Sequence, residues 1–244
     1  KNEGNLLPLK KQGKIALIGP LADTRNNIAG TWSVAQAPEK YTTIKEAMEK
    51  ALDGKATLLY AQGSNIWRDR ELQKNGEQGK SIAWGDKVKM KNEALQIAKE
   101  ADVIVCAMGE TADMSGECAS RTNLEMPDVQ QELLAELAKM GKPVVLLNFA
   151  GRPTVLSWEK EHIPAIMNVW FGGSEMGDAL CDVIFGDKVP SGKLTTSMPK
   201  TTGQEPLYYN HQNTGRPVPD DNQKFAKFAS NCMDVSNGPL YPFG

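Results

Sequence analysis

The chain of 244 residues carries 28 Lys and Arg against 30 Asp and Glu, a formal net charge of −2, with 40% hydrophobic and 24% charged residues. This is the composition of an ordinary globular protein. Its basic residues are scattered among acids, which excludes a protein organised around a polyanion, since that would need a basic stripe. The longest apolar run, 103–108, is far below the about 20 residues that span a bilayer, so neither nucleic acid nor a membrane is an expected partner.

In chain order, the first residues (Lys1-Asn2-Glu3-Gly4-Asn5) are polar and lack the apolar core of a signal peptide. The run 14–18 then predicts a strand, 43–52 a helix, 56–60 a strand and 86–101 a helix. The apolar run 103–108 predicts the next strand, followed by a helix over 127–140 with Pro127 near its first turn and Gly141 beyond its end. Further strands are predicted at 143–147, 163–169 and 194–198, and helices at 153–161 and 174–185. In the last helix Met176, Ala179, Leu180, Val183 and Ile184 fall on one face, with Ser174 as the expected N-cap and Gly186 after the end. Most strand patterns are continuously apolar, as expected of strands covered on both faces. The alternation of strands and helices predicts an α/β fold, a mostly parallel sheet sandwiched between helices. The chain stops at Tyr241-Pro242-Phe243-Gly244, apolar residues that would usually be covered by something further on, so both ends read as cut from a longer protein.

Several chemistries are disfavoured. The four cysteines, Cys106, Cys118, Cys181 and Cys232, form no CxxC, and His162 and His211 are the only histidines, so no metal site is expected. Cys106 and Cys181 fall on apolar faces and read as buried free thiols. Gly19-Pro20-Leu21 after the first strand opens neither GxGxxG nor GxxxxGK[ST], and Pro20 lacks a backbone donor for phosphate. No cofactor is expected. Gly172-Gly173-Ser174-Glu175-Met176 has Met176 where a nucleophile elbow needs Gly.

The most informative segment is the irregular stretch between Met108 and Pro127. It is well beyond the about 2 to 6 residues of an ordinary βα loop, and loops of that length are often functional. It also leaves the carboxyl end of a strand, where open α/β sheets place their ligands. Within it lie four carboxylates, Glu110, Asp113, Glu117 and Glu125, and one arginine, Arg121.

Gly109-Glu110, Met114-Ser115-Gly116-Glu117, Ser120-Arg121 and Leu124-Glu125-Met126-Pro127, followed by Gln131 and Leu133-Leu134, resemble the catalytic-loop segment in the second domain of family 3 glycoside hydrolases, the β-glucosidase family. Residues 1–9 resemble the opening of that domain and 15–23 its first strand. The stretches 144–153, 172–194, 207–217 and 239–244 continue the likeness in order. The resemblance implies that 1–244 is a single α/β sandwich domain with flavodoxin-like layering. It also implies a parent chain with an N-terminal (β/α)₈ barrel and, in many relatives, a following fibronectin type III-like domain, neither of them within 1–244. The parent would be periplasmic or secreted and would hydrolyse β-glucosides or oligosaccharides.

Retaining glycosidases use two carboxyl groups about 5 to 5.5 Å apart, one a nucleophile and one a general acid/base. The resemblance puts the nucleophile on the barrel and the acid/base at Glu117, leaving an isolated 1–244 without turnover. Glu110 is the competing glutamate, with loop orientation as its expected role. Ser115, Arg121 and His211 are further candidates for binding substrate or orienting the loop. Arg121 would hold Glu117 or, as favoured here, pair with Asp113, while His211 would approach the barrel or lie in a surface loop. The loop departs from the family in having Cys118-Ala119-Ser120-Arg121 where many members have Gly-x-Asp-Arg. Two other readings stay open: a thiol-nucleophile amidase with Cys118 attacking and His211 as base, and a non-catalytic carbohydrate-binding domain. A barrel-packing face should leave aromatics uncovered, and Trp32, Trp170 and Phe171 are the candidates.

Overall fold

The computed structural model describes residues 1–212, 215–220, 222, 225 and 227–244. Five strands form one parallel sheet: β1 (Lys14–Ile18), β2 (Thr57–Ala61), β3 (Val103–Gly109), β4 (Val144–Phe149) and β5 (Ala165–Asn168), in the order β2-β1-β3-β4-β5. Every residue of β4, and all of β1 and β3 except their first, is buried. These continuous apolar runs can be buried on both faces because helices flank both sides of the sheet.

Helix α1 (Ile44–Leu52) packs on α6 (Met176–Phe185). Their Met48, Leu52, Leu180 and Ile184 join Ile15, Leu17, Val105, Ala107, Val145 and Leu147 in one core cluster. Helix α3 (Lys87–Glu100) packs on β1, β2 and α4 (Asp128–Ala138), and α4 also contacts β3. Two caps explain why the helices start where they do. Thr43 and Glu46 form a capping box at α1, and Asp86 accepts from the Lys89 amide at 2.8 Å at α3. Gly186 closes α6 in the left-handed conformation at φ 83°, as its place after the apolar face suggested.

The structure corrects several elements. The run 194–198 is not a strand of the sheet. Three of its five residues are Thr or Ser, and it lies instead beside the C-terminal segment, Met198 bridging Tyr241 and the Leu194 carbonyl accepting from Gly244 at 2.8 Å. The helix expected over 153–161 is only α5 (Ser157–His162), because Val155 is taken up in a parallel bridge to Glu125. Ser174 does not cap α6; Glu175 holds that position and makes no side-chain cap hydrogen bond. One helix, α2 (Arg70–Asn75), was not expected, since its one buried residue is Gln73 and it carries no apolar stripe for a periodicity to reveal.

Two compact units are distinguishable: Lys1–Arg121 with Met126–Arg152 and Glu159–Pro190, and Thr122–Glu125 with Pro153–Trp158 and Ser191–Gly244. The first contains the sheet. In the second, the Gln204 side-chain amide donates to the Ser236 carbonyl at 2.9 Å, and Tyr209 stacks on Phe243 with ring centroids 4.4 Å apart.

The order β2-β1-β3 places the topological switch between β1 and β3, where chain leaves both strands in opposite directions and opens a crevice at their carboxyl ends. Both strands end in a glycine at positive φ, Gly19 at 137° and Gly109 at 131°. A Cβ on Gly109 would lie 2.1 Å from the Phe149 carbonyl oxygen, so the chain can turn out of β3 here only without a side chain. Gly109→Ala should therefore cost more than about 3 kcal/mol, among the severe backbone effects. Gly54→Ala, at φ 65° with open space around it, should cost about 1 to 2 kcal/mol. Urea unfolding midpoints of the two variants check the difference.

Candidate active site

The loop leaving β3 has little secondary structure beyond a single 3-10 turn, Ala112–Met114, so its buried polar groups must find other partners. Glu110, the first residue after the strand, is 1% exposed. Its Oε1 accepts from Arg121 at 2.6 Å and its Oε2 from Arg152 at 3.3 Å. Two guanidiniums thus share one buried carboxylate, and charge-assisted bonds of this kind are the strong ones. Arg121 also lies over the Trp67 ring, 5.3 Å from its centroid, which gives its positive charge a second favourable neighbour.

Arg121 is thereby accounted for, and the pairing with Asp113 expected from the sequence is corrected. Asp113 Oδ2 instead accepts from the amides of Gln78 and Gly79, each at 3.2 Å, while its other oxygen accepts from the Thr111 hydroxyl. From the loop after β1, Asn27 accepts from the Ala112 amide at 3.0 Å, and the Thr31 hydroxyl lies 2.6 Å from the carbonyls of both Ala112 and Ser115. The loops flanking the switch point are therefore bonded to each other. From α4, the fully buried Gln130 amide accepts from Gly109 N–H at 2.8 Å and donates to the carbonyls of Gly109 and Ile66 at 2.9 and 3.2 Å.

Glu117 is exposed at the tip of this framework, in a turn closed by the Ala119 amide donating to the Gly116 carbonyl at 3.2 Å. Its neighbours both have positive φ, Gly116 at 109° and Cys118 at 60°. For Gly116 the reason is steric, because a Cβ there would come within 2.9 Å of Thr31. Cys118, in a conformation that side chains other than Gly, Asn and Asp seldom adopt, indicates backbone strain at the tip. Among the described residues, no hydrogen bond or ion pair ties down the Glu117 carboxylate. Ser115 is buried, its Oγ packed against Gly151.

His211 is exposed and lines a cavity of about 740 Å³ in the second unit with Tyr208 and Tyr209. Cys118 is an exposed free thiol, whereas Cys106 and Cys181 are buried. Burial pushes the Cys106 thiol far up, and burial with the nearby Asp178 and Asp182 carboxylates pushes Cys181 up to about 12. Of the expected aromatics, Trp32 is 71% exposed, Trp170 is half-buried, and Phe171 is half-buried against the core.

The family model for the glycosyl hydrolase family 3 C-terminal domain matches residues 1–244. The chain belongs to this family. It is 43% identical to the periplasmic β-glucosidase of Salmonella typhimurium over its whole length, covering 32% of that protein, and 34% identical to a β-xylosidase of Formosa agariphila over 86% of its length, covering 27%. Among solved structures, a β-glucosidase from Listeria innocua in complex with glucose superposes with a TM-score of 0.83 at 32% identity, over all of this chain and 30% of that one. The chain thus spans about a third of the length of the relatives it matches.

Arg152, Gln130, Asn27, Thr31 and Trp67 were not singled out from the sequence as site residues. Arg152 could have been, as it sits just past the carboxyl end of β4. Gln130 carries no such signal, since a polar residue on a helix ordinarily reads as solvated. Replacing it by Met should leave the Gly109 and Ile66 backbone groups unpaired and lower stability by about 2 to 3 kcal/mol, measured as a shift in the urea midpoint with an unchanged slope.

Proposed function

We propose that this family 3 domain supplies the general acid/base of a retaining β-glycosidase, with Glu117 in that role. The observation that carries the reading is the position of Glu117: an exposed, untethered carboxylate at the tip of a strained turn, on a loop otherwise pinned at the sheet's switch point. In glycosylation Glu117 donates its proton to the leaving oxygen, and in deglycosylation its carboxylate takes a proton from the attacking water. Glu110 is committed to two arginines in a buried site, which suits orienting the loop and not exchanging protons with substrate. The nucleophilic carboxylate is assigned to a barrel domain of the parent chain, so residues 1–244 alone should not release p-nitrophenol from its β-glucoside above a buffer blank. A β-glucoside is the proposed substrate, on the strength of the Salmonella and Listeria relatives, and the periplasm the proposed compartment, on that of the Salmonella relative alone.

In the parent protein, Glu117→Gln should lower kcat/KM for alkyl β-glucosides by about 10² to 10⁴, the usual worth of general acid catalysis. Dinitrophenyl β-glucoside, whose leaving group departs without a proton, should glycosylate the variant enzyme at close to the normal rate. Deglycosylation should slow and added azide should restore it, because azide attacks without a base. Glu110→Gln, which loosens the loop without removing the proton donor, should show a smaller leaving-group dependence and no azide rescue. If the two variants exchange these behaviours, the acid/base is Glu110; if neither shows them, the loop does not carry it.

A further inference from the structure

We propose that Arg152 is the positioning residue for the acid/base, fixing the turn that carries Glu117; the proposal rests on the reading of Glu117 given above. Arg152 sits in the short turn after β4, and its guanidinium faces the loop after β3. One Nη2 donates to the carbonyls of Met114 and of Ala119, the latter at 3.2 Å, while Nε donates to Glu110. The two carbonyls bracket residues 115–118, so a single planar group holds both ends of the segment with Glu117 near its middle. Its side chain is 17% exposed and the Glu110 carboxylate 1%, so these bonds form largely out of water.

The two ends of the segment are held unequally. Thr31 and Asn27 fix Ala112 and Ser115 from the β1 side. On the far side, the Ala119 carbonyl is held by Arg152. Without this guanidinium, the far side would be tied only two residues further on, at the Arg121–Glu110 pair, and the path from Gly116 to Ala119 would depend on its own turn hydrogen bond, with Cys118 at an unfavourable φ. A lysine cannot replace it fully, because an ammonium lacks the rigid fork that reaches a carboxylate and two carbonyls together. The neighbouring residue supports the same role: a Cβ on Gly151 would fall 1.9 Å from Ser115 Oγ and 2.6 Å from Ser115 Cβ, so the β4 turn is packed directly against the segment.

A misplaced acid can still bind substrate but transfers its proton poorly, and about 1 Å of misplacement costs about 10²-fold in rate. The test compares methyl and dinitrophenyl β-glucosides with Arg152→Met and Arg152→Lys in the full-length protein. Arg152→Met should lose about 10²-fold in kcat/KM on the methyl glucoside, yet less than about 10-fold in glycosylation by the dinitrophenyl glucoside, with Arg152→Lys intermediate. Equal losses on both substrates, or no loss on either, would overturn the proposal, since a purely structural role does not distinguish leaving groups. If Arg152→Met does not fold, Gly151→Ala must show the same selectivity or the proposal fails. Glu117→Gln, run alongside, separates the levels: selectivity there without selectivity at Arg152 removes only the positioning role, and its absence there removes the acid/base reading itself.

Discussion

One buried carboxylate shared by two guanidiniums holds the irregular loop of this domain in place. Glu110 leaves the carboxyl end of β3 and is met by Arg121 from eleven residues further along and by Arg152 from the turn after β4. Removing one partner of such a buried ion pair typically costs about 3 to 5 kcal/mol. With two arginines, the cluster keeps a positive charge in excess, and the surplus donors of Arg152 are spent on backbone carbonyls of the loop. A segment without helix or sheet ladder thereby meets its hydrogen-bonding needs in a partly dry setting.

The sheet decides where this happens. In the order β2-β1-β3-β4-β5 the loops after β1 and β3 flank the switch point, and Gly19 and Gly109 let the chain turn sharply out of both strands. Asn27 and Thr31 then stitch one loop to the other, and Gln130 ties α4 to the end of β3. What is left unbound is the tip, with Glu117 exposed between two residues at positive φ. On the proposed reading of Glu117, a rigid base with a carboxylate at its apex suits a proton donor, whose setting should be fixed before the substrate arrives. Trp32 stands uncovered on the loop after β1, at the same end of the sheet.

Much of this was legible in the residues. Continuous apolar runs such as Val144 to Phe149 announced strands covered on both faces, and the length of the segment after Met108 announced an irregular loop leaving β3. The likeness of Ser115-Gly116-Glu117 to the family motif singled out Glu117. Tertiary bonds were less legible. Arg121 could be paired with any of several nearby acids on sequence distance alone, and it chose Glu110 because that carboxylate is the buried one while Asp113 is met by the amides of Gln78 and Gly79. Gln130 and Arg152 are distant in sequence from the groups they bind; no local pattern marks Gln130, and only its place just past β4 marks Arg152. The run 194–198 has apolar residues only at its ends, Leu194 and Met198, and pairs with the C-terminal segment instead of the sheet, and α2 has too small a buried face to leave a periodic trace.

Native-state hydrogen exchange tests the role of Glu110 most directly. The amides of Met114, Ser115 and Ala119 donate to carbonyls within the loop, and that of Ala112 donates to the Asn27 side chain. With Glu110→Gln, the loss of about 3 kcal/mol of local stabilisation should speed their exchange by about 10²-fold, while the β4 amides keep their protection because they belong to the sheet core. Unchanged exchange at these four amides would contradict the role of Glu110 as the anchor of the loop.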